Sequence, residues 1–173
     1  MKSLNFMMKK FKYLIDILEL KEHPEGGYYS ELLRSNEIIK KKSLPSRYKN
    51  NRCFFTSIYF LLYEDKFSAF HKLKSDEIWH FCEGTRLLIH IIENKNSVKT
   101  IYLGNDIKKG DKYTALIKAG TWFAAEVENK TSFSLVGCTV APGFEYDDFQ
   151  LGKRDRLIKL YPKHRKIIER LTR

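Results

Sequence analysis

The chain predicts an all-β fold: an antiparallel two-sheet jelly roll with a helix before it and short helices after it. Three observations carry this reading. Between Arg52 and Phe144 the sequence runs through eight short apolar segments, "CFFTSIYFLL", "SAFHKL", "EIWHFCEG", "TRLLIHIIE", "SVKTIYLG", "YTALIKAG", "TWFAAEVE" and "FSLVGCTVAPGF", separated by Gly, Asn, Lys and Asp turns. Several, such as Leu87 to Ile92, are apolar at consecutive positions and therefore need cover on both faces. Helical spacing is confined to the two ends of the chain.

Taken in order, the elements are consistent with one domain over residues 1–173, the barrel occupying about 22–150 and the C-terminal helices about 153–172. Phe11, Leu14, Ile15 and Leu18 lie on one stripe of an amphipathic segment, which reads as a docking helix and not a signal peptide. "HPEGGYYSELLRS" reads as a turn entering a strand, its glycines as turn formers. "NEIIKKKSLPSRYKNN" has no period and is expected to be an exposed, mobile loop. At the far end Leu157, Leu160, Ile167, Ile168 and Leu171 return to helical spacing, and Pro162 divides the stretch into two short helices.

Composition narrows the function classes. The net charge of +11 sits mainly near the chain ends and in the lysine-rich loop, without a helix-turn-helix, zinc-finger or RNP pattern, so a nucleic-acid partner is not expected. No apolar run is long enough to cross a bilayer, and no membrane partner is expected. Cys53, Cys82 and Cys138 are odd in number and form no CxxC pair, which points to reduced thiols and a cytoplasmic protein. Cys138 has no activating base nearby in sequence. "HPEGGYY" lacks the helix start and lysine of a phosphate loop, and "APGFEYDDF" lacks the carboxylate spacing of an EF-hand.

The stretch "FHKLKSDEIWHFCEG", Phe70 to Gly84, concentrates two histidines and two carboxylates in an aromatic strand region. Alternation puts Glu77, Trp79 and Phe81 on one face and Ile78, His80 and Cys82 on the other, unless a bulge reverses part of the pattern. Together with "KAGTWFAA", this stretch resembles the two cupin motifs. In those motifs a His-x-His, a Glu and a Gly form the first half, and a further His the second. Aligned on Glu77 and Gly84, the first family histidine falls on His71 and the second on Leu73; the third falls near Phe123. "LKEHPEGGYYSE", "TSIYFLL", "AGTWFAA" and "VGCTVAPGFEYDDFQLG" extend the likeness from about Leu20 to about Leu160. In that order they resemble the cupin group catalogued as a domain of unknown function, DUF985, whose members are often labelled predicted sugar epimerases. The resemblance implies a double-stranded β-helix, a homodimer, and a ligand-sized pocket with no established reaction.

A resident transition metal generally takes about three His or carboxylate ligands. His71 and Glu77 supply two, while Leu73 and Phe123 offer none, so no cofactor is expected; any divalent metal would use His71 and Glu77. His80 joins them only if a bulge turns it inward, and His23 only if the N-terminal segment folds over the barrel mouth. Without metal, epimerisation next to a carbonyl needs a base, a donor for the enolate and a group to return the proton. His71 is expected as base, Glu77 as its partner and Tyr59 as donor, with Ser57 on the same inward parity as Tyr59. Trp79 and Trp122 are expected as pocket walls. Phe123, His80, Arg52 and Tyr28 complete the expected ligand-binding set, with Glu25 near the rim. His90 and His164 read as structural. The expected function is binding of a small polar or carbohydrate-like molecule, with metal-independent epimerisation or isomerisation; a non-catalytic binding or sensor module and a metal-dependent cupin enzyme are the alternatives.

Overall fold

The strand runs build two antiparallel sheets packed face to face. In the computed structural model, which describes residues 2–173 and the side chains from residue 10 onward, helix α1 (Lys2–Ile17) leads into the strands. These are β1 (Lys21–Glu22), β2 (Tyr28–Arg34), β3 (Ile38–Ile39), β4 (Arg52–Cys53), β5 (Thr56–Tyr63), β6 (Phe67–Leu73) and β7 (Asp76–Gly84). Next come β8 (Leu87–Ile92), β9 (Val98–Leu103), β10 (Thr114–Ile117), β11 (Trp122–Val127), β12 (Phe133–Ala141) and β13 (Phe149–Leu151). Helices α2 (Arg154–Leu160) and α3 (Arg165–Arg170) close the chain. One sheet has the order β1-β2-β5-β12-β7-β10 and the other β13-β6-β11-β8-β9. Sequence neighbours β6 and β7 thus lie in different sheets, as do β11 and β12, which is jelly-roll wiring.

The doubly apolar strands find cover on both sides. Between the sheets, Phe60, Leu62, Leu87, Ile89, Phe123 and Val136 form the main core. Outside the six-stranded sheet, Phe11 and Leu14 of α1 pack on Leu61, Phe133 and Leu135. Burying each such side chain contributes about 2 kcal/mol, enough to hold a helix that is marginal alone. Outside the five-stranded sheet, Leu157, Ile168 and Leu171 cover Phe70, Ile92, Trp122 and Ala124. A 3-10 turn at Pro162–His164 separates α2 from α3 at the proline that the sequence marks as a breaker.

Two local readings need correction. The segment expected to be a mobile loop is pinned: Tyr48 is fully buried, and its hydroxyl lies 3.0 Å from the Lys74 carbonyl and 2.9 Å from Ser75 Oγ. Leu44 and Tyr48, the two buried side chains of this lysine-rich stretch, are the signal. The run "CFFTSIYFLL" is two strands, because Arg52–Cys53 pairs with Ile38–Ile39 while β5 begins only at Thr56.

Candidate functional site

A cavity of about 110 Å³ opens between the sheets, beside the main core. The six-stranded sheet contributes Tyr29 and Glu31 from β2, Thr56, Ile58 and Phe60 from β5, Glu77 and Trp79 from β7, and Cys138 and Val140 from β12. The opposite wall is His71 and Leu73 of β6 with Phe149 of β13. The turn after β1 brings in His23 and Glu25, and the segment after β12 adds Phe144, Glu145 and Tyr146. The N-terminal segment therefore does fold over the barrel, placing His23 at the cavity.

Two backbone devices aim the polar groups. In β6 the register against β11 advances from Phe123↔His71 to Ala125↔Ser68, three residues against two. This bulge makes Ser68 and His71 face the same side although they are three apart. In the turn, Gly26 and Gly27 have φ of +110° and +72°, and a Cβ on Gly26 would lie 2.2 Å from the Phe67 carbonyl oxygen. Only glycine allows the chain to turn this tightly against β6 and swing Glu25 back over it. The Glu25 carbonyl accepts from Ala69 N–H at 2.8 Å, and its carboxylate Oε1 accepts from Ser68 Oγ at 2.9 Å.

The result is a buried set of two carboxyls and two imidazoles. His71 is 2% exposed; its Nδ1 lies 2.8 Å from the Ala69 carbonyl, which can only accept, so that nitrogen carries a proton. Its Nε2 is 3.2 Å from Glu25 Oε2. His23 Nδ1 accepts from Glu25 N–H at 3.3 Å, which puts the proton of its neutral ring on Nε2. Its ring meets those of Tyr29, Phe60 and Phe149 edge to face. Burial lowers the pKa of both imidazoles, against the pull of Glu77 on His71 and of Glu25 on His23. Burial raises Glu25, which His23 and Ser68 partly offset. Glu77, 7% exposed, is pushed up to about 7 by burial; His71 opposes the rise and Glu25 adds to it.

The expected residues fall into two groups. His71, Glu77 and Trp79 face the cavity, and the β7 alternation holds, with Glu77 and Trp79 buried and Ile78 and His80 exposed. Phe123 is not a wall but a support, its ring 4.1 Å from that of His71. Corrections are needed for the rest. Tyr59 and Ser57 point to the other side of β5, since Thr56, Ile58 and Phe60 are the residues lining the cavity, and Tyr59 packs in the cluster under α1. Tyr28 joins that same cluster, and its neighbour Tyr29 takes the cavity side. His80 is exposed on the outer face because no bulge lies at that point of β7. Trp122 lies under the C-terminal helices. Arg52 is buried in a two-point pair with Asp148, 2.5 and 2.7 Å, away from the cavity.

Sequence reasoning missed the roles of Tyr29, Arg34 and the 144–146 segment at the mouth. Arg34 is held by Glu31 and Glu145, each at 2.9 Å, and Tyr29 Oη is 3.4 Å from Tyr146 Oη. The motifs "HPEGGYY" and "APGFEYDDF" were the available signals, but their meeting across more than a hundred residues is a tertiary fact.

A closed β-sandwich with a side-chain-lined cavity at the site of the His-Glu motif defines a cupin-type double-stranded β-helix protein. More particularly, the chain belongs to the cupin superfamily family DUF985, whose family model matches residues 12–152. It is similar to protein SO0799 from Shewanella oneidensis, with 37% identity and a TM-score of 0.82, covering 93% of this chain and 96% of that one. A hypothetical protein from Leishmania major is 30% identical with a TM-score of 0.83, covering 93% and 97%. The uncharacterized protein YML079W of Saccharomyces cerevisiae is 26% identical over 155 residues, 84% of this chain and 77% of that one.

Two of the family's histidine positions carry no metal donor. Leu73 lines the cavity and Phe123 packs against His71 at the two family histidine positions, so neither offers a lone pair. Among the described residues, no three His, Cys, Asp or Glu side chains are placed to hold one ion. No helix there is long and apolar enough to cross a membrane.

Proposed function

We propose that this cupin binds a small polar or carbohydrate-like molecule in the barrel cavity and moves a proton on it, as an epimerase or isomerase that works without a metal. The observation that carries the reading is Glu77: a buried carboxyl lining the cavity, with Oε2 unpartnered and a pKa near 7. Such a group exchanges its proton at neutral pH. Glu77 stands on the six-stranded sheet, and the His71–Glu25 pair, joined through His71 Nε2, stands across the cavity from it. Groups on facing walls are what a two-sided exchange requires: one takes the carbon-bound proton and the other returns it to the opposite face. Tyr59 has no part in this scheme, and the phenols near the ligand path are Tyr29 and Tyr146. The cavity is smaller than the roughly 150 Å³ apolar cavity that takes benzene. It therefore holds one small ring or part of one, the remainder lying against the mouth.

A second reading, a non-catalytic binding module, is favoured by His71, whose Nδ1 is tied to the backbone, and by the apolar lining of Ile58, Phe60, Leu73, Val140 and Phe149. The test is deuterium wash-in. Neutral aldoses and ketoses are incubated with the protein in heavy water and followed by NMR. Incorporation at the carbon beside the carbonyl, lost in folded Glu77→Gln and His71→Asn variants, is expected. Binding without wash-in in any compound would leave the binding module standing in its place.

The reduced cysteines agree with a cytoplasmic protein. For the homodimer that family likeness implies, the outer row Leu116, Ile78, Thr139, Ser57 and Leu33 offers a face with Leu33, Ile78 and Leu116 exposed. Light scattering should give a dimer mass that Ile78→Lys lowers.

A further inference from the structure

Among the described residues, the buried side-chain polar atoms without a partner are Glu77 Oε2, Trp79 Nε1, Ser132 Oγ and Ser134 Oγ. The first two stand apart from the serines because both line the cavity. They are two positions apart on β7 and so project to the same side. The indole is held edge-on by Phe60 and Phe123, with centroids 5.6 and 6.0 Å away, so its N–H has a set direction. It acts on the Glu77 carboxyl as a hydrogen-bond donor that lowers its pKa, but without the alignment of a full hydrogen bond, so Glu77 Oε2 and Trp79 Nε1 both stay unpartnered. One buried donor and one buried acceptor are therefore waiting side by side for an occupant that can both accept and donate. A hydroxyl is the smallest organic group that does both.

Charge limits which hydroxyl compound can enter. The cavity walls carry Glu25 and Glu77, while burial drives His23 and His71 toward their neutral forms. The arginine at the mouth, Arg34, is already taken by Glu31, Glu145 and the Phe144 carbonyl. Arg52 is closed on Asp148 outside the cavity. Among the described residues, Arg34 is the only Lys or Arg that lines the cavity; Arg173, which acts on Glu25, and Lys21, over the Tyr29 ring, stand outside the lining. A phosphate or carboxylate placed there would lose its hydration and face two carboxyls.

We propose that Glu77 Oε2 and Trp79 Nε1 form a two-point hydroxyl subsite, and that the cavity accordingly selects uncharged hydroxyl-bearing rings over their phosphorylated or carboxylated counterparts. The proposal rests on the cavity being the ligand site and adds the class of ligand. It is tested by calorimetric titration of the whole chain with matched sets, each a neutral aldose, its 6-phosphate and its uronic acid. At least one neutral sugar is expected to bind, with its charged counterparts at least about tenfold weaker. Glu77→Gln should narrow that ratio by admitting the anions, whereas Trp79→Phe should weaken the neutral sugar about fivefold or more and leave the ratio alone. The wild-type ratio is decisive without either variant. Equal or tighter binding of a charged counterpart overturns the hydroxyl subsite and leaves the cavity reading intact. An unchanged ratio in folded Glu77→Gln together with an unchanged neutral-sugar affinity in folded Trp79→Phe overturns it as well, because the ligand then sits elsewhere. Binding by no member of any set overturns the cavity reading and this proposal together.

Discussion

Glu77 and Glu126 are both buried carboxyls on strands of the same barrel, and their surroundings push them in opposite directions. Glu126 lies beneath the C-terminal helices, where its Oε1 accepts from His90 Nε2 at 3.0 Å and from Arg170, and its Oε2 from Lys130 Nζ at 2.9 Å. Burial works against its charge, but the hydrogen bonds from His90, Lys130 and Arg170 outweigh burial and hold it well below the usual carboxylate range. Glu77 has only the nearby His71 and the poorly aligned Trp79 indole N–H to favour its charge, so burial prevails and lifts it to about 7. The first is a pin that ties α3 to the five-stranded sheet; the second is an uncompensated group facing a cavity. What distinguishes a structural carboxylate from a chemical one here is the number of donors around it, not its depth.

The contrast can be broken by removing each in turn. Glu126→Ala strips the partner from His90, Lys130 and Arg170, and should cost about 3 kcal/mol in denaturant unfolding at neutral pH. An unchanged midpoint would show that the cluster pins nothing. Glu77→Gln should instead stabilise the fold by about 2 kcal/mol above pH ~7, where the wild type must bury a charge. The pH profiles sharpen the difference because their signs are opposite. With a folded pKa above the ordinary value of 4.5, Glu77 contributes stability that is complete below about pH 4.5 and lost as pH rises through about 7. With a folded pKa below the ordinary value, Glu126 contributes stability that is present above about pH 4.5 and lost as pH falls. Parallel slopes in the two difference curves would erase the distinction.

Smaller effects probe the supports. Ser68→Ala removes the hydroxyl that holds Glu25 Oε1 and should cost about 1 kcal/mol while moving the Glu25 titration further up, read by carbon NMR of labelled glutamate. A downward shift would mean that Ser68 does not favour the ionised form. Tyr59→Phe, on the face turned toward α1, should change stability by less than about 0.5 kcal/mol and leave sugar binding untouched. A loss of binding there would place Tyr59 back at the ligand.

Much of this protein is legible in its sequence because period-two alternation and turn residues are local. "EIWHFCEG" shows a true difference between its faces, so Glu77 and Trp79 could be assigned to the interior correctly. "TSIYFLL" shows none: Ile58 and Phe60 line one side, while Tyr59 and Leu61 pack under α1 on the other. A strand with two apolar faces carries no sign, so spacing alone does not tell Ile58 and Phe60 from Ser57 and Tyr59 as the inward pair. The bulge in β6 leaves no mark in sequence either, yet it sets Ser68 beside His71 and so holds Glu25.

By itself the sequence determined the jelly roll, its flanking helices, the cupin motif and the apolar residues at two family ligand positions. These follow from spacing along the chain and from side-chain chemistry. Only the tertiary structure decided that Glu25 would meet His71, that Arg52 would be spent on Asp148, and that Glu77 Oε2 would stay unpartnered while Glu126 has several donors. The ionisation of a buried carboxyl depends on which groups come within a few ångströms of it, and those groups arrive here from strands, turns and helices far apart in sequence.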